Sequence, residues 1–250
     1  MNAFFLDVDG VITNKLAEVD ERVVKKITNL ADSGNLIFLI TGRSFKWFET
    51  NIISELSRIS QNAKNIKFIG EYGAVFGEYS KGKWELTVDK KMAVPRLISE
   101  EVKDSIKNMP GIFFDSTKLT MVSVELKHDI AKLDINATVG GLDEAQRTMA
   151  NIAKRNGLKC VRTTFAVDIV SQDVGKEYAT NIAVKKFDVK PELAVGVGDS
   201  PEDFGIKEAI KKECANWKFY YVGEKEIDDN EIIITDKKYS DGALSTLSAF

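Results

Sequence analysis

At 250 residues the chain suffices for one large domain or two modest ones, and 44% hydrophobic with 29% charged residues excludes a disordered or fibrous protein. A formal charge of −3, with 35 Lys and Arg scattered along the chain, excludes a protein held to nucleic acid by phosphate neutralisation. The single histidine, His128, leaves no histidine triad or histidine-rich metal site, and Cys160 and Cys214 read as free thiols in no ligand spacing.

The first expected element is "AFFLDVDG", a near-continuous apolar run that suits a strand covered on both faces and ending near residue 7. "VDERVVKKITNLADSG" follows with Val23, Val24, Ile27, Leu30 and Ala31 at helical spacing and Gly34 as the stop. "LIFLITGR" is a second buried strand, so the three segments make a βαβ unit with parallel strands. The alternation continues with a helix through "FKWFETNIISELSRI", its Trp47 and Phe48 expected in the core, and a strand at "IKFIG". "GAVFGEYSKGKWELTV" switches to period two around a glycine-containing turn, a hairpin pattern.

"SEEVKDSIKNM" and "LDEAQRTMANIAKRNG" then read as helices, and "GIFFD", "LTMVSVEL", "KCVRT" and "FAVDIV" as strands. Their grouping predicts a small α+β unit with an antiparallel sheet. The βα alternation resumes with the helix "GKEYATNIAVKKF" and the strands "ELAVGVGDS" and "KFYYVG". The expected organisation is a parallel α/β core over 1–86 and 171–250, interrupted by an α+β unit over 87–170. No charged-then-apolar leader stands at the start, and no apolar run approaches the roughly 20 residues of a membrane span. The expectation is a cytoplasmic protein, monomeric or homodimeric, that engages neither membrane nor nucleic acid.

Three polar signatures each follow a buried strand: Asp7 and Asp9 after "FFL", Thr41 and Gly42 after "LIFLI", and Asp199 after "LAVGVG". In an open parallel sheet they meet at the carboxyl edge. Residues i and i+2 of an extended chain share a side, so Asp7 and Asp9 face one site while Val8 packs inward. Carboxylates this close repel, and Asp199 and Asp203 add charge, so an oxygen-ligated magnesium ion is the economical counter-charge. Taken alone, "DVDG" fits an Asx turn and Thr41 a helix cap. Lys176 alone would be a surface lysine. At the head of its helix, behind Gly175, it supplies a fixed positive charge toward the acidic cluster.

In order along the chain, "DVDGVIT", "LITGR", "GK" and "GDSPED" resemble the four motifs of the haloacid dehalogenase superfamily of aspartate-nucleophile phosphatases. The insertion is similar to the α+β cap of subfamily IIB, which includes Cof-type sugar phosphatases, sucrose- and trehalose-phosphate phosphatases and archaeal phosphoglycolate phosphatases. "EYGAVF" is similar to an "ENGA" stretch of those proteins, with Tyr72 where Asn is common, and "DKKYSDGALSTL" resembles the phosphoglycolate phosphatase branch. The resemblance implies a Rossmann-like core with an inserted cap, and hydrolysis of a small phosphorylated metabolite, phosphoglycolate or a sugar phosphate. Asp7 would be the nucleophile and Asp9 the acid–base partner. Thr41, Gly42, Arg43 and Lys176 would hold the phosphoryl group, and Asp7, Asp9 through its carbonyl, Asp199 and Asp203 would hold magnesium. Glu202 departs from the Asn found there in Cof-type members. In the cap, Asp168 is the candidate for substrate hydroxyls, and Lys118, Arg162 and His128 for a second anion. A phosphomutase and a phospho-ligand binder without turnover are the alternative readings.

Overall fold

The computed structural model describes residues 1–54, 56, 63–127 and 135–250, of which 135–139 by backbone alone. His128 and the far end of the helix expected from Phe45 lie outside the described residues. Strand β1 (Ala3–Asp7) is buried at every position, as its unbroken apolar run requires. Helix α1 (Glu21–Asp32) starts where the Asp20 side chain accepts from Arg22 N, and it buries Val23, Val24, Ile27, Leu30 and Ala31. Strand β2 (Leu36–Ile40) pairs parallel to β1 with Phe5 opposite Phe38. Those two rings stack at 4.9 Å, and each fully buried phenyl contributes about 1.5–3 kcal/mol.

The next helix is irregular: it opens as one α turn, α2 (Phe45–Phe48), capped by Ser44, passes through a π turn over Glu49–Ile53 and is α-helical again at Ser54 and Leu56. Phe48 is buried, but Trp47 is only partly so. Strand β3 (Ile66–Gly70) is parallel to β2, and β4 (Val75–Ser80) returns antiparallel and leads into β5 (Lys83–Val88). Lys81 and Gly82, at φ 50° and 83°, give the β4–β5 hairpin its left-handed turn.

A second compact unit spans Val88–Val174. It holds α3 (Arg96–Ile106), β6 (Ile112–Asp115), β7 (Val122–Leu126), α4 (Ile135–Arg155), β8 (Lys159–Arg162) and β9 (Ala166–Val170). The strands form an antiparallel sheet in the order β6-β7-β9-β8. Val122, Val124, Val167 and Ile169 pack on Val102, Leu142 and Met149 of the helices. Asp115, Ser123 and Asp168 stand opposite one another across three strands. Because alternate residues of a strand face opposite sides, this polar row lies on the other face.

The first unit, Met1–Thr87 with Gly175–Phe250, is completed by α5 (Lys176–Lys186), β10 (Ala194–Gly198), α6 (Phe204–Glu213), β11 (Trp217–Tyr221), β12 (Ile232–Ile234) and α7 (Tyr239–Leu247). Its sheet runs β12-β11-β10-β1-β2-β3-β4-β5, parallel from β12 to β3. The chain steps from β1 outward to β2 on one side and later to β10 on the other. The carboxyl edge beside β1 is therefore the topological switch point of an open α/β sheet. Among the described residues, no helix is long and apolar enough to cross a membrane.

Candidate active site

The register brings the three polar signatures together. Asp7 stands opposite Ile40, so Thr41 emerges beside it, and β10, paired to β1 on the other side, delivers Asp199 directly after Gly198. Asp7, Asp199 and Asp203 each place a carboxylate oxygen within 4.8 Å of the others. Asp7 and Asp203 are buried and Asp199 is partly so. Gly10 makes room for this: at φ 75°, a Cβ there would lie 2.2 Å from Asp199 Oδ2.

Lys176 heads α5 and reaches into the cluster. Its Nζ donates to Asp7 Oδ1 and, at 3.0 Å, to the Ile40 carbonyl. It also lies 3.0 Å from Asp203 Oδ1, a charge contact that falls short of a directed hydrogen bond. Burial works against the Lys176 charge, but Asp203 and Asp7 override it and hold the ammonium well above its usual range. Burial, and after it the Asp203 charge, raises the Asp7 carboxyl well above the ordinary range, and the same two causes push Asp199 up to about 7. One ammonium does not balance three carboxylates. A donor set of close, hard oxygens with excess negative charge fits a divalent cation of the oxygen-preferring kind.

Asp203 has a further task. Its Oδ2 accepts from Asp199 N, Ser200 N and Ser200 Oγ, each at 3.0 Å, and so fixes the loop that carries Asp199. The signal for this is local: Ser200 and Asp203 make a capping box around the short turn Pro201–Asp203. Glu202 is exposed on that turn.

The Asp9 side chain turns elsewhere. Arg43 forks onto it, and the guanidinium lies 4.9 Å over the Trp47 ring. No local pattern in the sequence signals this fork or the Trp47 platform, and Trp47 reads there as core. Thr41 is fully buried, and its Oγ1 accepts from Arg43 N at 3.0 Å. It does not cap a helix, since α2 begins later and Ser44 caps it. Gly42, partly buried, follows Thr41 ahead of the Ser44 cap.

In the second unit Asp168 is buried, opposite Ser123 and Val161. The Lys118 side chain is 3% exposed and pairs with Asp115 and Glu125. Arg162 lies 3.6 Å from Asp143.

The fold and site define a Rossmann-like α/β protein with an aspartate cluster and a buried lysine at its switch point, carrying a second α+β unit. No family model matches the chain. A phosphoglycolate phosphatase from Methanospirillum hungatei is 19% identical over 210 residues, which cover 83% of this chain and 80% of that protein. The C-terminal domain of a C. albicans trehalose-6-phosphate phosphatase matches with a TM-score of 0.74 at 15% identity, covering 99% of this chain and 91% of that one. A haloacid dehalogenase-like hydrolase from Bacteroides thetaiotaomicron matches with a TM-score of 0.68 at 12% identity, covering 99% and 98%. The fold is that of the haloacid dehalogenase-like hydrolases, a Rossmann-like core with a cap.

Proposed function

We propose that the chain is a magnesium-dependent phosphoric monoester hydrolase that works through an aspartyl-phosphate. The observation that carries the reading is the meeting of Asp7, Asp199, Asp203 and Lys176 at one sheet edge. The likeness to named phosphatases in sequence and fold supports it.

An Asp7 carboxylate oxygen forms a bond to phosphorus while the bond from phosphorus to the substrate's ester oxygen breaks. Asp9 gives its proton to the departing oxygen, then takes one from the water that attacks the aspartyl-phosphate and regenerates Asp7. For the first of these steps the Arg43 fork on Asp9 has to open, and the incoming phosphate offers the guanidinium another pair of oxygens. Thr41, Gly42 and Lys176 hold the phosphoryl oxygens. Asp7, Asp199 and the Asp9 carbonyl, supported by Asp203, would hold magnesium, which supplies positive charge to the phosphoryl group. The remaining contribution of the chain is positioning and fixed charge, as in phosphoryl transfer generally.

The substrate class is a small phosphorylated metabolite, phosphoglycolate or a sugar phosphate, with Asp168 of the second unit a candidate for contacts to substrate hydroxyls. Incubation with p-nitrophenyl phosphate, with and without magnesium, tests the reaction class. A metabolite panel read by phosphate release then separates the two substrates. Retention of phosphate as a tight complex, with no release, would replace hydrolysis by binding.

A further inference from the structure

Three successive residues, Glu71, Tyr72 and Gly73, have φ of 48°, 56° and 100°. Glycine takes such values freely, whereas a tyrosine there is uncommon and is held by its surroundings. The surroundings are two segments of the site. Tyr72 N donates to the Thr41 carbonyl at 3.0 Å, and the Tyr72 carbonyl accepts from Gly175 N, the residue before Lys176, at 3.1 Å. One step earlier, Glu71 N donates to the Arg43 carbonyl at 3.3 Å. The Tyr72 ring lies on Gly42, where a Cβ would stand 2.7 Å from its Cζ. One step later, Gly73 touches α5, where a Cβ would meet Ala179 Cα at 2.8 Å.

Thr41 and Lys176 are 135 positions apart in the chain, and the Lys176 side chain bonds the β2 terminus through the Ile40 carbonyl alone. The left-handed turn adds a main-chain connection between the same two segments. We infer that Tyr72 is a positioning residue: its backbone ties the Thr41 segment to the head of the Lys176 helix and fixes the spacing of these two among the groups that hold the phosphoryl oxygens. The inference rests on the phosphatase reading above. In this role the conformation at Tyr72 matters more than its ring. Asn accepts left-handed backbone, whereas a β-branched residue is an outlier there.

The test compares Tyr72→Asn, Tyr72→Ala and Tyr72→Val. Their KM for p-nitrophenyl phosphate in magnesium is measured, together with the Kd for inorganic phosphate by calorimetry. Displacement of a positioning group costs on the order of tenfold to a hundredfold. Tyr72→Val is therefore expected to raise both constants by about tenfold or more, Tyr72→Ala by less, and Tyr72→Asn by under about threefold. Thermal melts establish that each variant is folded at the assay temperature. Where Tyr72→Val is not, Tyr72→Ala against Tyr72→Asn carries the same comparison. Equal constants in all variants, or an Asn variant as impaired as the Val or Ala one, would overturn the inference. A wild-type protein that binds phosphate but turns over no ester sinks the hydrolase reading instead, and the phosphate Kd series still decides the role of Tyr72.

Discussion

Arg43 holds Asp9 by a fork, with Nη2 2.7 Å from Oδ1 and Nε 3.1 Å from each carboxylate oxygen. The guanidinium side chain is 15% exposed and the carboxylate side chain 40%, so the pair faces the open side of the site rather than the core. Arg43 can therefore exchange one oxyanion for another without unpacking the fold. Removal of a bidentate charged pair to phosphate costs about 1.5–3 kcal/mol. Arg43→Ala is expected to raise KM for an aryl phosphate about tenfold or more, read from initial rates. Arg43→Lys should recover little of it, because an ammonium has no fork and does not stack on Trp47 in the same way. An unchanged KM in both variants would remove Arg43 from substrate binding.

Lys176 is the only cation that contacts both buried carboxylates among the described ion pairs. Breaking a buried pair from one side typically destabilises by about 3–5 kcal/mol. Lys176→Met should lower the urea midpoint by a corresponding amount in metal-free buffer. Double replacement with Asp7→Asn should return part of that loss, because one orphaned charge is removed. A single variant as stable as wild type would show that the cluster is already balanced by other means.

The aspartate cluster should respond to metal in a way that needs no turnover. A cation that binds the folded chain alone stabilises by about 2.7 kcal/mol at a hundred times its Kd. Magnesium is expected to raise the melting temperature of wild type and to leave Asp199→Asn nearly unmoved. Gly10→Ala should behave like Asp199→Asn, since its Cβ would occupy the place of Asp199 Oδ2. A magnesium shift that survives Asp199→Asn would place the metal elsewhere.

Much of this arrangement is legible in the residues. The apolar runs of β1, β2 and β10, each followed by Asp or Thr, point to one sheet edge before any coordinate is known. The helical spacing of Val23, Val24, Ile27 and Leu30 is equally plain. What is hidden depends on contacts distant in sequence or on weak local signals. Nothing near Asp9 announces Arg43, which lies 34 positions away. Asp203 reads as a metal ligand, yet its Oδ2 is taken up by the Ser200 loop, a task visible only in the S-x-x-D spacing. β12 is three isoleucines at the sheet edge, too short for alternation to register. α7, "YSDGALSTL", has Ser, Thr and Gly where helix formers are usual, and its burial of Ala243 and Leu247 comes from tertiary packing. The burial of Asp168 is likewise hidden, because strand alternation gives its face but not what covers that face.

Asp20 gives a pH test away from the site. It caps α1 and pairs with Arg22, whose hydrogen bond is the main cause that lowers its carboxyl from 3.8 to about 2. A carboxyl held lower in the folded chain contributes stability above its unfolded value and loses it as pH falls through the folded one. That increment should be complete above about pH 5 and be lost progressively toward about pH 1. Asp20→Ala is expected to cost about 1 kcal/mol at neutral pH. Asp20→Asn keeps the cap but should flatten the acid limb of the stability curve, as read by urea titrations at several pH values. An acid limb identical to wild type would contradict the assignment.

Whether Asp7 is the group that attacks phosphorus is decided by one kinetic comparison. Phosphate release from p-nitrophenyl phosphate is measured in magnesium for wild type and for Asp7→Asn, a variant of nearly the same shape that lacks the nucleophilic oxygen. Magnesium-dependent turnover is expected in wild type, with a loss of about a thousandfold or more in kcat for the variant. Full turnover in Asp7→Asn, or a wild type with no magnesium-dependent turnover, would contradict that role for Asp7.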